Sequence, residues 1–318
     1  MTRLLRLIPA LLLTIAAIPA LRGDDAKAEK LLIVSLDGGF DKAAIYSMNA
    51  DGTGRVKIKT PEGFALDPAL SPDGKRLAFT LVDQKTSKAD IHIANADGSE
   101  AKKVTETEEK QIAFGPNWSP DGKRIAYCAM KMPEGRPPEN GEILMIDADG
   151  KNSRKIGLGL LPSWSPDGKR ILHTVVNKAE DFEPRLHVMD ADGQNDKALL
   201  KGRSMMGMYS PDGKRIVYMG AKDGKNEQPH IYICNADGSE PKALTEGEDV
   251  FEAAPRWSAD GKRIFFNRLT RQDAPRKIPI FVMDADGKNA KRVSKDDAAD
   301  ILGGSPLFLL TRSQQAPQ

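Results

Sequence analysis

Histidine and cysteine, the side chains most used for metal binding and nucleophilic chemistry, are scarce: four and two in 318 residues. Two cysteines cannot build a disulfide framework or a four-thiolate zinc site. Cys128 and Cys234 fall in strand-like stretches of different repeats, so two buried thiols are expected in preference to a bridge. The chain has no GxSxG nucleophile elbow, which removes the α/β-hydrolase class. No apolar run reaches the roughly 20 residues that span a bilayer. A dominant charge is also missing: 47 basic and 45 acidic residues leave a formal net charge of +2, which argues against a general nucleic-acid or anionic-membrane binder.

What is present at the N-terminus is short and ordered. Arg3 and Arg6 precede an apolar stretch over residues 7–21, small residues follow around Ala20 and Gly23, and Asp24 and Asp25 begin an acidic segment. Charge, length and order are those of a secretory signal peptide over residues 1–23, cleaved after Ala20 or Gly23. Its two prolines, Pro9 and Pro19, and its length argue against a retained anchor. Cleavage removes three Arg and no acid, leaving 44 basic against 45 acidic residues. A periplasmic or secreted protein of near-neutral charge, without an integral membrane span, is expected.

The remainder is repetitive. SPDGKR occurs at Ser71, Ser119, Ser165 and Ser210, SADGKR at Ser258, and a truncated SP at Ser305, spaced by 48, 46, 45, 48 and 47 residues. A second series alternates with it: NADG or DADG at Asn49, Asn95, Asp147, Asp190, Asn235 and Asp284. A period of this length points to propeller blades, provided the local patterns are strands. They are: LAFTLV from Leu77 or IAYCAM from Ile125 follows the first motif, and IHIA from Ile91 or HIYIC from His230 precedes the second. These runs are β-branched and aromatic, of strand length, and bounded by Gly and Asp.

The motifs themselves are turns. In SPDG the proline fixes φ, the aspartate bonds back to nearby amides, and the glycine takes the left-handed conformation that closes a hairpin. Each unit therefore reads as four antiparallel strands, and six units make 24. The N-terminal unit starts with a second-type strand, LLIVSL from Leu31, while the segment from Ile301 supplies an orphan first strand. The expected fold is all-β: one six-bladed β-propeller over residues 24–318, its ring closed by the C-terminal segment, which removes exposed edges. LFLLT from Leu307, where a DGK turn is due, is the one irregular feature.

WSPDGKRIAY from Trp118, with the xADG strand that follows, resembles the repeat of the TolB-like family of WD40-like (PD40) propellers. The resemblance covers about residues 30–311. It implies an exported or envelope propeller that binds other proteins. The N-terminal α/β domain of TolB proper is not expected, because strand-type sequence begins at once after the cleavage region. Prolyl-oligopeptidase-like enzymes share the repeat, but they also need the hydrolase domain that the missing GxSxG argues against.

Chemistry is harder to find. DADGKN at Asp147 and Asp284 spaces carboxylates like the start of an EF-hand, but lacks the twelfth-position Glu and flanking helices, so turn stabilisation is expected. His92 and His187 each lie three residues before an xADG motif, and His173 is placed to face His187 across the same sheet. Equivalent positions in separate units suggest repeated packing, so neither a metal site, a cofactor nor a catalytic residue is assigned. Trp118, Trp164, Tyr209 and Trp257 occupy one slot of the repeat and read as wedges between units.

What varies is one set of loops, and partner recognition is expected there. KMPEGRPPENGE from Lys131 offers Met132 and Arg136, and NRLTRQDAPRKIP from Asn267 offers Arg268, Arg271, Arg276 and Lys277. This basic cluster could meet acidic residues of a partner, or the stretch TEGEDVFE from Thr245 of the same chain. The expectation is a monomeric, non-catalytic scaffold for protein partners in the cell envelope. The competing reading is a carbohydrate-active propeller enzyme, a lyase or hydrolase of acidic sugars.

Overall fold

The computed structural model describes residues 29–36, 42–86, 88–108, 111–131, 140–177, 183–221, 228–270, 278–294 and 299–302. These residues form strands and turns with no α-helix, and none of them offers a helix long and apolar enough to cross a membrane.

The strands follow the repeat. The first unit holds β1 (Lys30–Ser35), β2 (Ala44–Asn49) and β3 (Val56–Lys57). The second holds β4 (Phe64–Leu70), β5 (Arg76–Val82), β6 (Ala89–Asn95) and β7 (Lys102–Lys103), and the third β8 (Gln111–Trp118), β9 (Arg124–Lys131) and β10 (Gly141–Asp147). Next comes the long β11 (Arg154–Trp164), followed by β12 (Arg170–Asn177), β13 (Glu183–Asp190) and β14 (Lys197–Ala198). The fifth unit is β15 (Ser204–Tyr209), β16 (Arg215–Gly220), β17 (His230–Asn235) and β18 (Lys242–Ala243). The sixth is β19 (Val250–Trp257), β20 (Arg263–Thr270), β21 (Ile280–Asp284) and β22 (Lys291–Arg292), and β23 (Asp300–Leu302) ends the described chain.

Neighbours within a unit are antiparallel, and the last strand, β23, pairs with β1 in the sheet order β23-β1-β2-β3. The two ends of the chain thus share one sheet. Asn267 of β20 fastens it, donating through Nδ2 to Asp300 O at 3.0 Å and accepting from Leu302 N at 3.1 Å. The segment from Leu307 lies outside the described residues.

One expectation is corrected: there are 23 strands among the described residues, because β11 serves as the outer strand of the third unit and the inner strand of the fourth. The reason is local. RKIGLGLLPSW carries no polar linker, and positive φ at Gly159 and Leu161 bends the strand without ending it.

The SPDG turn is built from its own side chains. Ser71 Oγ donates to Asp73 Oδ1 at 2.6 Å and accepts from Arg76 N, while Asp73 Oδ1 also accepts from Lys75 N. Gly74 has φ 68°, the left-handed value required to close the hairpin. The same bonds recur at Ser119, Ser165, Ser210 and Ser258, so Ala259 in place of proline leaves the turn intact. At the second turn Gly98 is needed for space: a Cβ there would lie 1.8 Å from Lys59 O of the preceding unit.

The innermost strands β4, β8, β11, β15 and β19 carry a bulge four residues before the marker serine. Asp67, Gly115, Leu161, Met206 and Ala254 all have positive φ, and the ladder register shifts at each. The freed amides are met by the unit before: Gly115 N donates to Thr80 Oγ1 and Met206 N to Thr174 Oγ1. Between units sit the aromatic wedges. Trp118 is buried, donates through Nε1 to Ala69 O at 3.0 Å, and lies under the Arg76 guanidinium at 4.5 Å from the ring centroid. Trp257 repeats this with Met208 O and Arg215.

Candidate functional site

Of the residues expected to meet a partner, Met132, Arg136, Arg271, Arg276 and Lys277 lie outside the described residues. Arg268 is placed, in β20, and its charge is engaged within the chain. Its Nε donates to Glu252 Oε1 at 2.6 Å, and its guanidinium sits 5.2 and 5.0 Å from the ring centroids of Phe266 and Phe281. Glu252, fully buried on β19, also accepts from Thr245 Oγ1 and faces His230 Nδ1 at 3.1 Å. Of the two acidic groups open to Arg268 in the sequence, the structure pairs it with the one in its own TEGEDVFE stretch.

A second buried pair comes from two inner strands. Asp67 sits on the β4 bulge with φ 52°, accepts from Thr80 Oγ1 at 2.9 Å, and interacts electrostatically with Arg256 of β19. Desolvation pushes the Asp67 carboxyl up to about 7, against the opposing pull of Thr80, Gly115 and Arg256. Burial brings the Arg256 guanidinium down to about 9.

A carboxyl raised from 3.8 to about 7 binds a proton more readily when folded. Its contribution to stability is therefore full below about pH 4 and is lost as pH rises through 7. Asp67→Asn cannot titrate, and asparagine tolerates the left-handed backbone. The stability of the wild type minus that of Asp67→Asn is expected to fall between pH 4 and 7, by at most about 1.4 kcal/mol per pH unit. Urea melts at each pH read this difference, and a flat one would refute the linkage.

The histidines occupy the strands as expected, but in different company. His92 of β6 stacks on Phe79 at 5.7 Å between centroids, and burial holds its pKa down. His187 of β13 faces His173 of β12 in register, with centroids 5.6 Å apart. Between them lies Asp196, whose Oδ1 is 3.0 Å from His173 Nε2 and 3.1 Å from His187 Nδ1. Sequence reasoning missed Asp196 because it follows the DADG turn and belongs to no strand; counting six residues from the first of each xADG motif would have found it.

Other candidates are inert. Cys128 and Cys234 are buried free thiols, both pushed up to about 12 by desolvation. Asp147 and Asp149 serve their turn, accepting from Asn152 Nδ2 and Lys151 N.

Residues 170–308 match the family described as TolB beta propeller domain, PD40. A TolB homolog from Chlorobium luteolum (strain DSM 273 / BCRC 81028 / 2530) is 29% identical over 127 residues, 40% of this chain and 26% of that protein. The match thus spans about a quarter of that relative's length. The crystal structure of TolB from Acinetobacter baumannii is similar with a TM-score of 0.69 at 19% identity, over 89% of this chain and 67% of that one. Residues 170–308 thus resemble the TolB β-propeller, and the fold of the chain is similar to that of TolB. An oligogalacturonate lyase from Vibrio parahaemolyticus is similar at a lower TM-score of 0.50, with 14% identity over 84% of this chain and 74% of that one. The Arg268–Glu252 pair bridges two strands of the four-stranded sheet β19-β20-β21-β22, beside His230 of the sheet that precedes it.

Proposed function

We propose that this protein is an exported, non-catalytic scaffold: a six-bladed closed ring whose variable loops bind a protein partner in the cell envelope. The observation that carries the reading is the contrast between its turns and its loops. In the SPDG turns the carboxylate is consumed by the hairpin itself, as at Asp73, Asp121, Asp167, Asp212 and Asp260. In the xADG turns Asp97, Asp149, Asp192 and Asp237 serve likewise. That leaves chemical variety to the loops.

Closure is supported by a repeated contact. A Cβ at Gly98, Gly193 or Gly238 would strike the backbone oxygen of Lys59, Ile156 or Leu199 of the preceding blade, and one at Gly52 in the first blade would strike Val293 O of the last. Glu29 adds a second tie, accepting from Ala259 N and from Arg263 Nη2 at 2.6 Å. Export rests on Arg3, Arg6 and the apolar residues 7–21. Near-neutral charge argues against nucleic acid as the ligand.

The test is affinity capture from a cell-envelope extract, comparing the native chain with Arg271→Glu/Arg276→Glu. Arg268 is left unchanged because it neutralises Glu252. A protein recovered by the native chain and lost by the variant is expected. Recovery of glycan alone would favour the carbohydrate-enzyme reading, and recovery of nothing would sink the scaffold. Mass spectrometry of the same sample reads the N-terminus, expected after Ala20 or Gly23.

A further inference from the structure

We propose that His173, His187 and Asp196 form a binding site for one divalent late transition ion, with Zn²⁺ as the reference. The argument starts from what the repeat puts at these positions elsewhere. The residue eight after the marker serine is Phe79, Tyr127, Tyr218 or Phe266 in the other SPDG or SADG blades, and its cross-strand partner is His92, Leu144, Tyr232 or Phe281. Three of these are ring-on-ring packing pairs. In one blade alone are both members imidazoles.

The sixth residue of the xADG segment, counted after its first, reaches a residue of this strand pair in three units. It is Arg55, Ala101, Ser153, Asp196, Pro241 or Ala290. Arg55 stacks over Tyr46 at 4.4 Å and Ser153 Oγ lies 3.1 Å from Tyr127 Oη, which shows the position's reach. The sole aspartate of the six falls in the blade that has both histidines. Two independent departures from a packing pattern, coinciding in one blade, assemble a two-imidazole, one-carboxylate donor set.

The geometry suits it. His173 Nε2, His187 Nδ1 and one oxygen of Asp196 lie within 4.8 Å of one another, with 3.0 and 3.1 Å from each nitrogen to Oδ1. Ligands at 2.0–2.1 Å from a tetrahedral ion are about 3.3 Å apart, so both nitrogen-to-oxygen distances lie within a few tenths of an ångström of that spacing. Imidazole donors select zinc, copper, nickel or cobalt over calcium or magnesium. His173 is fully buried, its Nδ1 has no hydrogen-bond partner among the described residues, and its Nε2 is met by Asp196. Gly159 makes room for it: a Cβ there would lie 2.6 Å from His173 Nδ1. His187 and Asp196 reach solvent, with side chains 21% and 39% exposed, leaving an open position for water. The ion would clip β12, β13 and the hairpin before β14 together.

The full chain, stripped with EDTA, is titrated with Co²⁺ and followed by visible absorption, then with Zn²⁺ in thermal melts. One Co²⁺ per chain and a rise in Tm with Zn²⁺ are expected. Two variants are compared: His187→Ala, and His173→Tyr with Asp196→Ser, which restores the pair found at Tyr127 and Ser153. Both should melt cooperatively in EDTA yet bind Co²⁺ about 100-fold more weakly or worse. Absent Co²⁺ absorption in the wild type, or absorption and Zn²⁺ stabilisation that persist in both variants, would overturn the site.

Discussion

Removing the chain from Asp300 onward is expected to cost about 5 kcal/mol of unfolding free energy, more than any single side-chain change considered for this protein. Ile301 and Leu302 are fully buried, and each fully buried aliphatic side chain is worth about 1.5–3 kcal/mol. The truncation also strips β1 of its partner, leaving the backbone of residues 33–35 as an open edge. Asn267 loses the acceptor and donor that β23 supplies, and Arg55 loses its ion pair with Asp300 at 2.8 Å. Urea melts of the two forms measure the difference. A truncated chain that melts like the intact one would show that the pairing of β23 with β1 contributes nothing, and the closed-ring reading would fall with it.

Much of this architecture was legible because it is written in turns. SPDG and xADG each specify a hairpin from within four residues, through a serine or asparagine, an aspartate and a left-handed glycine, so repetition of the motif repeats the fold. The strand assignments follow from the turns, and so does the pairing of the orphan C-terminal strand with the first unit.

What escaped the sequence depends on contacts between units. The bulges at Leu161, Met206 and Ala254 place bulky or β-carbon-bearing residues at positive φ, where composition gives no warning. At Met206 the displaced amide is met by the Thr174 hydroxyl of the preceding unit. The merging of two strands into β11 likewise rests on the absence of a polar linker, a weak signal beside the strong periodic ones.

The candidate sites were legible only in part, because the deciding contacts run across strands within a unit. His92 and His187 hold equivalent places, which argued for common packing, yet their environments diverge through their cross-strand partners and the residue after the turn. His92 has Phe79 beneath it, whereas His187 has His173 opposite and Asp196 at 3.1 Å. Position in a repeat predicts the backbone of a residue; the company of its side chain has to be read blade by blade.

The basic cluster shows this most sharply, and Glu252→Ala is expected to be the most damaging point substitution there. Glu252 is wholly buried and receives Arg268, Thr245 and His230, so its removal leaves a guanidinium beside the Phe266 and Phe281 rings without its counter-charge. Breaking one side of a buried ion pair costs about 3–5 kcal/mol, and the partial exposure of Arg268, 24%, brings the expectation to about 3. Glu252→Gln keeps an acceptor for the neighbours and should cost less. Arg268→Glu would set two carboxylates together, so its effect on partner capture would report unfolding and not recognition. A double-mutant cycle with Glu252→Ala and Arg268→Ala separates these effects, with a coupling of about 1–2 kcal/mol expected from residues in direct contact. A coupling near zero would mean that Arg268 is not committed to Glu252, and its charge would return to the loop face as one more group available to a partner.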